Sequence, residues 1–311
     1  MAKWSESDIP DQSGRVALIT GANSGLGYET ARALAQNGAR VVMACRNPEK
    51  AAGAEAQINE TNPSGSVEVL LTDMADLDSI AGSVAQFTAE HDTLDLLINN
   101  AGIMATPLGQ TAQGFEQQLG VNHLGHFALT APLLPLLFAA GDGSRVVSVS
   151  SNAHKFGTMN FDDLMSTKKY SPWGAYGQSK LANLLFTSEL QRRLDAGGHA
   201  TIAVTAHPGG SRTELGKESA GGTLSTMFSV MRPLMNATMS QSAAMGALPQ
   251  LYAAVALDVQ GDDYYGPEGL GELRGHPEKV GRTSKAKSVE DAGRLWDVSG
   301  ELTGITYNAL G

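Results

Sequence analysis

The sequence predicts one α/β domain: a mainly parallel β-sheet with helices over both faces. Three observations carry this. Apolar, β-branched runs of strand length recur along the first two thirds of the chain. Segments with apolar residues at helical spacing separate them. The strand runs are apolar throughout, not alternating, which is the pattern of strands covered on both faces.

The elements follow in order. The first strand is RVALITG, residues 15–21. A helix is expected over residues 28–37, with Ala31, Leu34 and Ala35 on one face and Gly38 just past its end, where glycine commonly closes a helix. ARVVMAC (39–45) is a strand and PEKAAGAEAQI (48–58) a helix, its proline in the first turn, where the missing N–H costs nothing. SVEVLLTD (66–73), DLDSIAGSVAQFTAEH (76–91) and LDLLINN (94–100) repeat strand, helix, strand. A long helix is expected roughly over residues 112–139. The strand SRVVSVSS (144–151), the periodic helix AYGQSKLANLLFTSELQRRL (175–194) and the strand ATIAVTAHPG (200–209) follow. From about Thr213 the chain is less regular and rich in Gly, Met and Ser. A substrate-loop insertion over about 213–245 and a final strand are expected there. No linker and no solenoid-length repeat divides the chain, so residues 1–311 are read as one domain.

Composition excludes several classes. With 42% hydrophobic and 17% charged residues, the chain can bury a core and is not of disordered type. The net charge of -10 argues against nucleic acid, which needs a basic stripe. One cysteine, Cys45, leaves no intrachain disulfide and fits a reducing, cytoplasmic setting. The start, MAKWSESDIPDQSGR, has no apolar signal-type region. The longest apolar stretch, FALTAPLLPLLFAA (127–140), is short for a bilayer and carries two prolines; a buried helix and no membrane span are expected.

Residues 20–27 read TGANSGLG, at the end of the first strand and the opening of the first helix. Gly21, Gly25 and Gly27 would allow a tight turn and close backbone approach to a pyrophosphate, with free N–H groups of the helix N-terminus facing it. An ordinary strand-to-helix turn has the same look, but placement in the first βα unit favours dinucleotide binding. No Gly-Lys-Ser/Thr follows, which speaks against a nucleoside triphosphatase. At the end of the second strand, where a carboxylate usually meets the ribose 2′-hydroxyl, stand Ala44 and Cys45, then Arg46. An arginine suits a 2′-phosphate, so NADP(H) is favoured over NAD(H); a merely solvated Arg46 is the plain alternative.

TGANSGLG, then NNAG (99–102), then YGQSK (176–180) resemble, in this order, the short-chain dehydrogenase/reductase family, with its TGxxxGxG and YxxxK patterns. The resemblance covers about residues 14–215. It implies a doubly wound Rossmann fold with about seven strands. It also implies a catalytic set of Asn122, Ser151, Tyr176 and Lys180. At the cofactor it implies Gly21, Asn23, Ser24, Gly25, Leu26 and Gly27 in the loop, Asp73 and Met74 by the adenine, and Asn99, Ala101 and Gly102 in the NNAG turn. Pro208, Gly209 and Thr213 in HPGGSRT are implied at the nicotinamide amide. ACRN, SSNAH, YGQSKLANLLFTSEL and AHPG look like the retinol-dehydrogenase-like branch, whose members tend to take NADP(H) and bulky apolar substrates. The polar N-terminus lacks the anchor many retinoid enzymes carry, so the pattern looks more like a soluble bacterial member.

The chemistry explains the residue types. Carbonyl reduction by hydride needs a proton for the oxygen, and a phenol titrates near pH 10 unless perturbed. Lys180 lies four residues after Tyr176, so both share a helix face, and its charge would lower the phenol pKa. Ser151 would hold the substrate oxygen. By resemblance, Lys180 also holds the nicotinamide ribose and Asn122 a water linking Lys180 to solvent. The rival function is a catalytically silent NADP(H)-sensing or scaffold protein, which usually lacks the tyrosine or lysine. A nucleotide-sugar epimerase would need a larger C-terminal part.

Other candidates are weaker. His123 and His126 lie three apart, but no further ligands accompany them, so a packing role is favoured and no metal is expected. His154 could touch substrate or pack a loop. No G-x-S-x-G elbow is present. Met227, Met231, Met235 and Met239 recur every four residues around Pro233; a greasy lid and a core or subunit contact remain open readings. Leu181, Leu184 and Leu185 give the Tyr176 helix a second apolar face. The family uses that helix and the central one for dimerisation, so a homodimer or homotetramer is expected.

Overall fold

The computed structural model describes residues 3–210 and 241–311. Within them the predicted alternation is present. The strands are β1 (Val16–Thr20), β2 (Arg40–Cys45), β3 (Ser66–Leu71), β4 (Leu96–Asn99), β5 (Arg145–Val149), β6 (Ile202–Ala206), β7 (Tyr264–Pro267) and β8 (Pro277–Lys279). They form one sheet in the order β3-β2-β1-β4-β5-β6-β7-β8. All neighbouring pairs are parallel except β7 with β8, which is antiparallel at the edge. The sheet has eight strands instead of about seven; the extra one is a three-residue edge with no apolar run to announce it.

The helices are α1 (Gly25–Gln36), α2 (Pro48–Glu60), α3 (Leu77–Glu90), α4 (Gln117–Ala140), α5 (Pro172–Ala196), α6 (Ala243–Val255) and α7 (Val289–Thr303). Period two sorts the strand side chains. Ile19, Val41, Met43 and Ile98 face the layer of α1, α2 and α6. Leu18, Val42, Leu97 and Val146 face the layer that holds α3 and α4. The inner strands β1, β2 and β4 therefore bury apolar side chains on both faces.

Three helix starts differ from expectation; α5 opens at Pro172, three residues before the expected 175, because Ser171 caps it. α1 begins at Gly25, three residues before the expected start, because the glycine loop itself supplies its first turn. α4 begins at Gln117, not near residue 112. Thr111 Oγ1 accepts from the Phe115 N–H at 3.1 Å and Gln110 bridges Glu116, so residues 110–116 are spent on a turn. α4 also carries a π-turn over Gly120–Leu124. At 24 residues α4 is long and apolar enough to cross a membrane, but two thirds of its most apolar window is buried inside the protein. Phe127, Leu133, Leu134 and Leu137 sit in the core.

The strand order reverses between β1 and β4, and that switch point opens a crevice beyond the carboxyl ends of the strands, the general ligand position of such sheets.

Candidate active site

The crevice holds a cavity of about 450 Å³. Its floor is the β1–α1 turn. Gly21 and Gly25 adopt φ of 67° and 56°, the left-handed region that favours glycine. Gly21, Asn23, Ser24, Gly25 and Leu26 line the cavity. Ser24 makes no side-chain cap on α1, so the helix opens toward the cavity with uncapped N–H groups. Gly27 lies beneath: a methyl built on it would stand 2.4 Å from the Gly21 carbonyl oxygen. The cradle exists only because that position is glycine, which is the fit a pyrophosphate requires.

One end of the cavity lies against β2 and α2. Arg46, Asn47 and Lys50 line it. Asn47 caps α2 by accepting from the Lys50 N–H at 2.8 Å, which sets Arg46 and Lys50 on the same short turn. Asp73 and Met74 line the neighbouring wall after β3. No carboxylate of the β2 end opposes Arg46; Ala44 occupies that place on the lining.

The other end holds Tyr176, Lys180, Val149, Ser150 and Pro208. Tyr176 and Lys180 lie one turn apart on α5, which Ser171 caps and Pro172 opens. Both are buried. Ser151 ends the β5 segment and caps the short turn Asn152–Lys155, accepting from the Ala153 N–H at 3.2 Å. Its hydroxyl reaches Tyr176 and pulls the phenol pKa down, but burial dominates and leaves that pKa above its ordinary value. Lys180 Nζ donates to the Val149 carbonyl at 3.0 Å. Burial lowers the Lys180 pKa to about 8. Lys180 Nζ lies 5.8 Å from the centre of the Tyr176 ring, so the lysine meets the phenol as a nearby charge, and the net direction at Tyr176 is set by burial.

Asn122 occupies the π-turn of α4 and is wholly buried. Its Oδ1 accepts from the Ile103 N–H at 2.8 Å, and its Nδ2 donates to the Ile103 carbonyl at 3.0 Å and to Ser179 Oγ at 2.9 Å. It holds the segment that follows the NNAG turn. Ala101 and Gly102 of that turn line the cavity. A methyl built on Gly102 would meet Asn122 Oδ1 at 3.2 Å and Lys180 Nζ at 3.4 Å.

The structure separates some residues that the motifs grouped. Asn99 is buried on Thr130, with its Nδ2 3.1 Å from Thr130 Oγ1; its neighbour Asn100 is on the cavity wall. Gly209, with φ of 63°, packs under Leu273. Thr213 and the four-spaced methionines 227, 231, 235 and 239 lie outside the described residues. His123 and His154 pack: His123 Nε2 meets Ser299 Oγ at 2.8 Å and His154 Nδ1 donates to the Ser151 carbonyl at 2.7 Å.

Sequence reasoning missed Lys50, Asn100 and Glu272. Lys50 was findable, one turn past Arg46 at a helix start. Glu272 comes from the loop after β7 and carried no local signal. Its carboxylate takes a 3.0 Å bond from Lys155 and lies 3.1 Å from His207 Nε2, close but poorly aligned as a hydrogen bond. These contacts hold its pKa down at about 2 and join the Ser151 turn to the His207–Pro208 segment. The second apolar face of α5 also differs from expectation. Leu181, Leu184 and Leu185 are covered by Ala292 and Leu295 of α7, so the face assigned to a partner subunit is filled by this chain's own C-terminal helix.

Among the described residues, one group has metal-ligand spacing: Glu68, Glu90 and His91. Arg40 already takes Glu68 in a two-bond ion pair, and the group lies away from the cavity.

The family model described as short chain dehydrogenase matches residues 15–222. The chain is 43% identical to human "Retinol dehydrogenase 12" over 298 residues, covering 94% of this chain and 88% of that protein. It is 40% identical to human "Retinol dehydrogenase 13", covering 97% and 87%. Among solved structures, an uncharacterised protein from Mycobacterium Paratuberculosis has a TM-score of 0.80 and 44% identity over 98% of this chain and 99% of its own. A short chain dehydrogenase from Burkholderia cenocepacia, solved in complex with NADP, shares the fold at TM-score 0.60 and 24% identity, covering 79% and 92%.

Proposed function

The chain belongs to the short-chain dehydrogenase family, and from that premise we propose that it is an NADP(H)-dependent oxidoreductase acting on the carbonyl or alcohol carbon of an apolar small molecule. The observation that carries this reading is a single crevice with Arg46 and Lys50 at one end and Tyr176 and Lys180 at the other. The glycine cradle between them fits the pyrophosphate of a dinucleotide, and two cations with Ala44 in place of a carboxylate at the β2 end suit a 2′-phosphate. The names of the retinol dehydrogenases support a bulky apolar alcohol or aldehyde.

When bound, the nicotinamide would supply the hydride. The protein's part is positional and protonic. In reduction, Tyr176 gives its phenolic proton to the substrate oxygen as charge develops there. Ser151 donates to the same oxygen and holds it against Tyr176. Lys180, charged below about pH 8, favours the phenolate that remains. Burial excludes water from these groups and strengthens each interaction. A reducing cytoplasmic setting belongs to the same reading, supported by the lone buried Cys45.

The test is oxidation of NADPH by the purified chain across apolar aldehydes, ketones and quinones, and reduction of NADP+ with retinol, alongside Tyr176→Phe. Turnover that vanishes in the variant supports the enzyme. Tight NADPH binding with no turnover on any compound leaves two readings, a narrow substrate outside the panel and the silent sensor.

A further inference from the structure

The site as described gives no role to His126, one turn beyond Asn122 on α4. It is 3% exposed, yet both ring nitrogens are engaged. Nδ1 lies 3.0 Å from the Asn122 carbonyl oxygen, and Nε2 lies 2.9 Å from Thr20 Oγ1.

Counting donors fixes the tautomer. A carbonyl only accepts, so Nδ1 carries the proton. Thr20 Oγ1 already accepts from the main-chain N–H groups of Asn100 and Ala101, each at 2.9 Å. Those two bonds fill its lone pairs, and its single proton must go to Nε2. The other acceptor in reach, the Ile98 carbonyl, is 3.4 Å away. Burial and the nearby Lys180 charge press the His126 pKa down to about 4, which keeps the ring neutral. The result is a relay of one polarity, from the Thr20 hydroxyl through the imidazole to the Asn122 carbonyl.

Its two ends are separate parts of the site. Asn122 anchors the π-turn and Ile103. Thr20 closes β1, and its hydroxyl fastens the turn at residues 100 and 101. Asn100 Nδ2 returns to the Thr20 carbonyl at 2.7 Å and approaches the Gly21 carbonyl at 3.4 Å. The glycine cradle and the NNAG turn are thus tied to each other, and His126 ties both to α4. An apolar ring in its place would leave a wholly buried Thr20 donor with only a long bond available.

We propose that His126 is a positioning residue that sets the spacing between the glycine cradle and the π-turn of α4, and with it the affinity for the dinucleotide. The inference rests on the dinucleotide reading of the cavity.

The test compares His126→Phe, which keeps the ring shape without either bond, with His126→Gln, whose Oε1 can take the place of Nε2 and accept from Thr20. Dissociation constants for NADPH and NADH are read by binding, with no turnover required. Nitrogen-15 spectra of the wild-type ring report the tautomer, and hydrogen exchange reports the Asn100 and Ala101 amides. The expected result is an Nδ1-protonated ring that does not titrate between pH 5.5 and 8. The phenylalanine variant should bind cofactor about tenfold more weakly and exchange both amides faster, and glutamine should restore most of each loss. An Nε2-protonated or titrating ring overturns the proposal. So does unchanged affinity in the phenylalanine variant, or a glutamine variant no better than phenylalanine. Should phenylalanine fail to fold, the wild-type tautomer and the glutamine variant decide the matter. Wild-type protein that binds neither dinucleotide refutes the cavity reading and, with it, the assignment of His126 to cofactor affinity; the tautomer and amide exchange would still report the relay itself.

Discussion

The Lys180 ammonium lies 5.8 Å from the centre of the Tyr176 ring, with its bond made to the Val149 carbonyl and not to the phenol. Lys180 therefore acts on Tyr176 as a nearby charge in a dry site, not as a hydrogen-bond donor. That charge is itself conditional, because burial brings the Lys180 pKa to about 8. Below that value the lysine favours the phenolate left after proton transfer; above it the support is lost. For reduction, kcat/KM is expected to be level from pH 6 to about 7.5 and to fall above pH 8. Burial holds the Tyr176 phenol above its ordinary pKa, so the acid itself stays protonated through the same range. A profile level to pH 10 would refute this assignment to Lys180.

Tyr176→Phe removes the proton donor while keeping the ring. It is expected to lower the reductive kcat by about 10²–10⁴-fold, the usual worth of a positioned acid. Cofactor affinity should stay within about threefold, since the cradle and the β2 end of the crevice are untouched. Single-turnover kinetics and a separate binding titration check the two halves.

Lys180 should also cost stability. Its pKa in the fold lies below the unfolded value of 10.5. Between about pH 8 and 10.5 the unfolded chain holds a proton that the folded chain has released, so stability rises with pH across that window. Below it the full penalty of the buried ammonium applies. Lys180→Met is therefore expected to stabilise the fold at pH 7 by on the order of 1–3 kcal/mol while abolishing activity. The lost bond orphans nothing, because Asn183 Nδ2 still donates to the Val149 carbonyl at 3.0 Å. Denaturant titration at pH 7 and pH 10 tests this: the gain should be present at pH 7 and shrink at pH 10.

Arg46→Ala should weaken NADPH by about 10- to 100-fold and NADH by much less, as expected when a charge-assisted phosphate contact is lost. Lys50→Ala should act in the same direction and more weakly, since a lysine meets phosphate as a point charge. Equal losses for both dinucleotides would remove the 2′-phosphate assignment.

What could be read from the residues alone follows from locality. Gly21, Gly25 and Tyr176 with Lys180 are short patterns whose spacing places them on one turn or one helix face, and the structure puts all four on the crevice. Asn99 and Asn100 could not be told apart, because which of two adjacent residues faces a cavity depends on strand register. The π-turn at Asn122 was invisible: its apolar neighbours satisfy helical spacing within the width of a stripe. Glu272 reaches Lys155 across 117 residue positions and His207 across 65, and no periodicity records such a contact. The face of α5 was legible as apolar, but the sequence does not say whether a partner or the same chain covers it.

That last ambiguity has a direct test. Leu184 and Leu185 are fully buried, and Leu295 of α7 is packed in the same cluster. Farther along α7, Trp296 stacks on Phe186 at 5.9 Å, and beyond the helix Tyr307 donates to the Phe127 carbonyl at 2.8 Å. A face this thoroughly occupied cannot receive a second subunit without displacing α7. Leu295→Asp is therefore a core substitution, expected to cost about 3 kcal/mol or more through a buried unpaired charge, with a fall in Tm that does not depend on protein concentration. A subunit contact would behave otherwise: the loss of stability would deepen on dilution, as mass action requires of an interface. Thermal melts at two concentrations a hundredfold apart, with light scattering on the wild type, separate the two. A wild-type oligomer that survives Leu295→Asp would have to use a surface other than the α5 face.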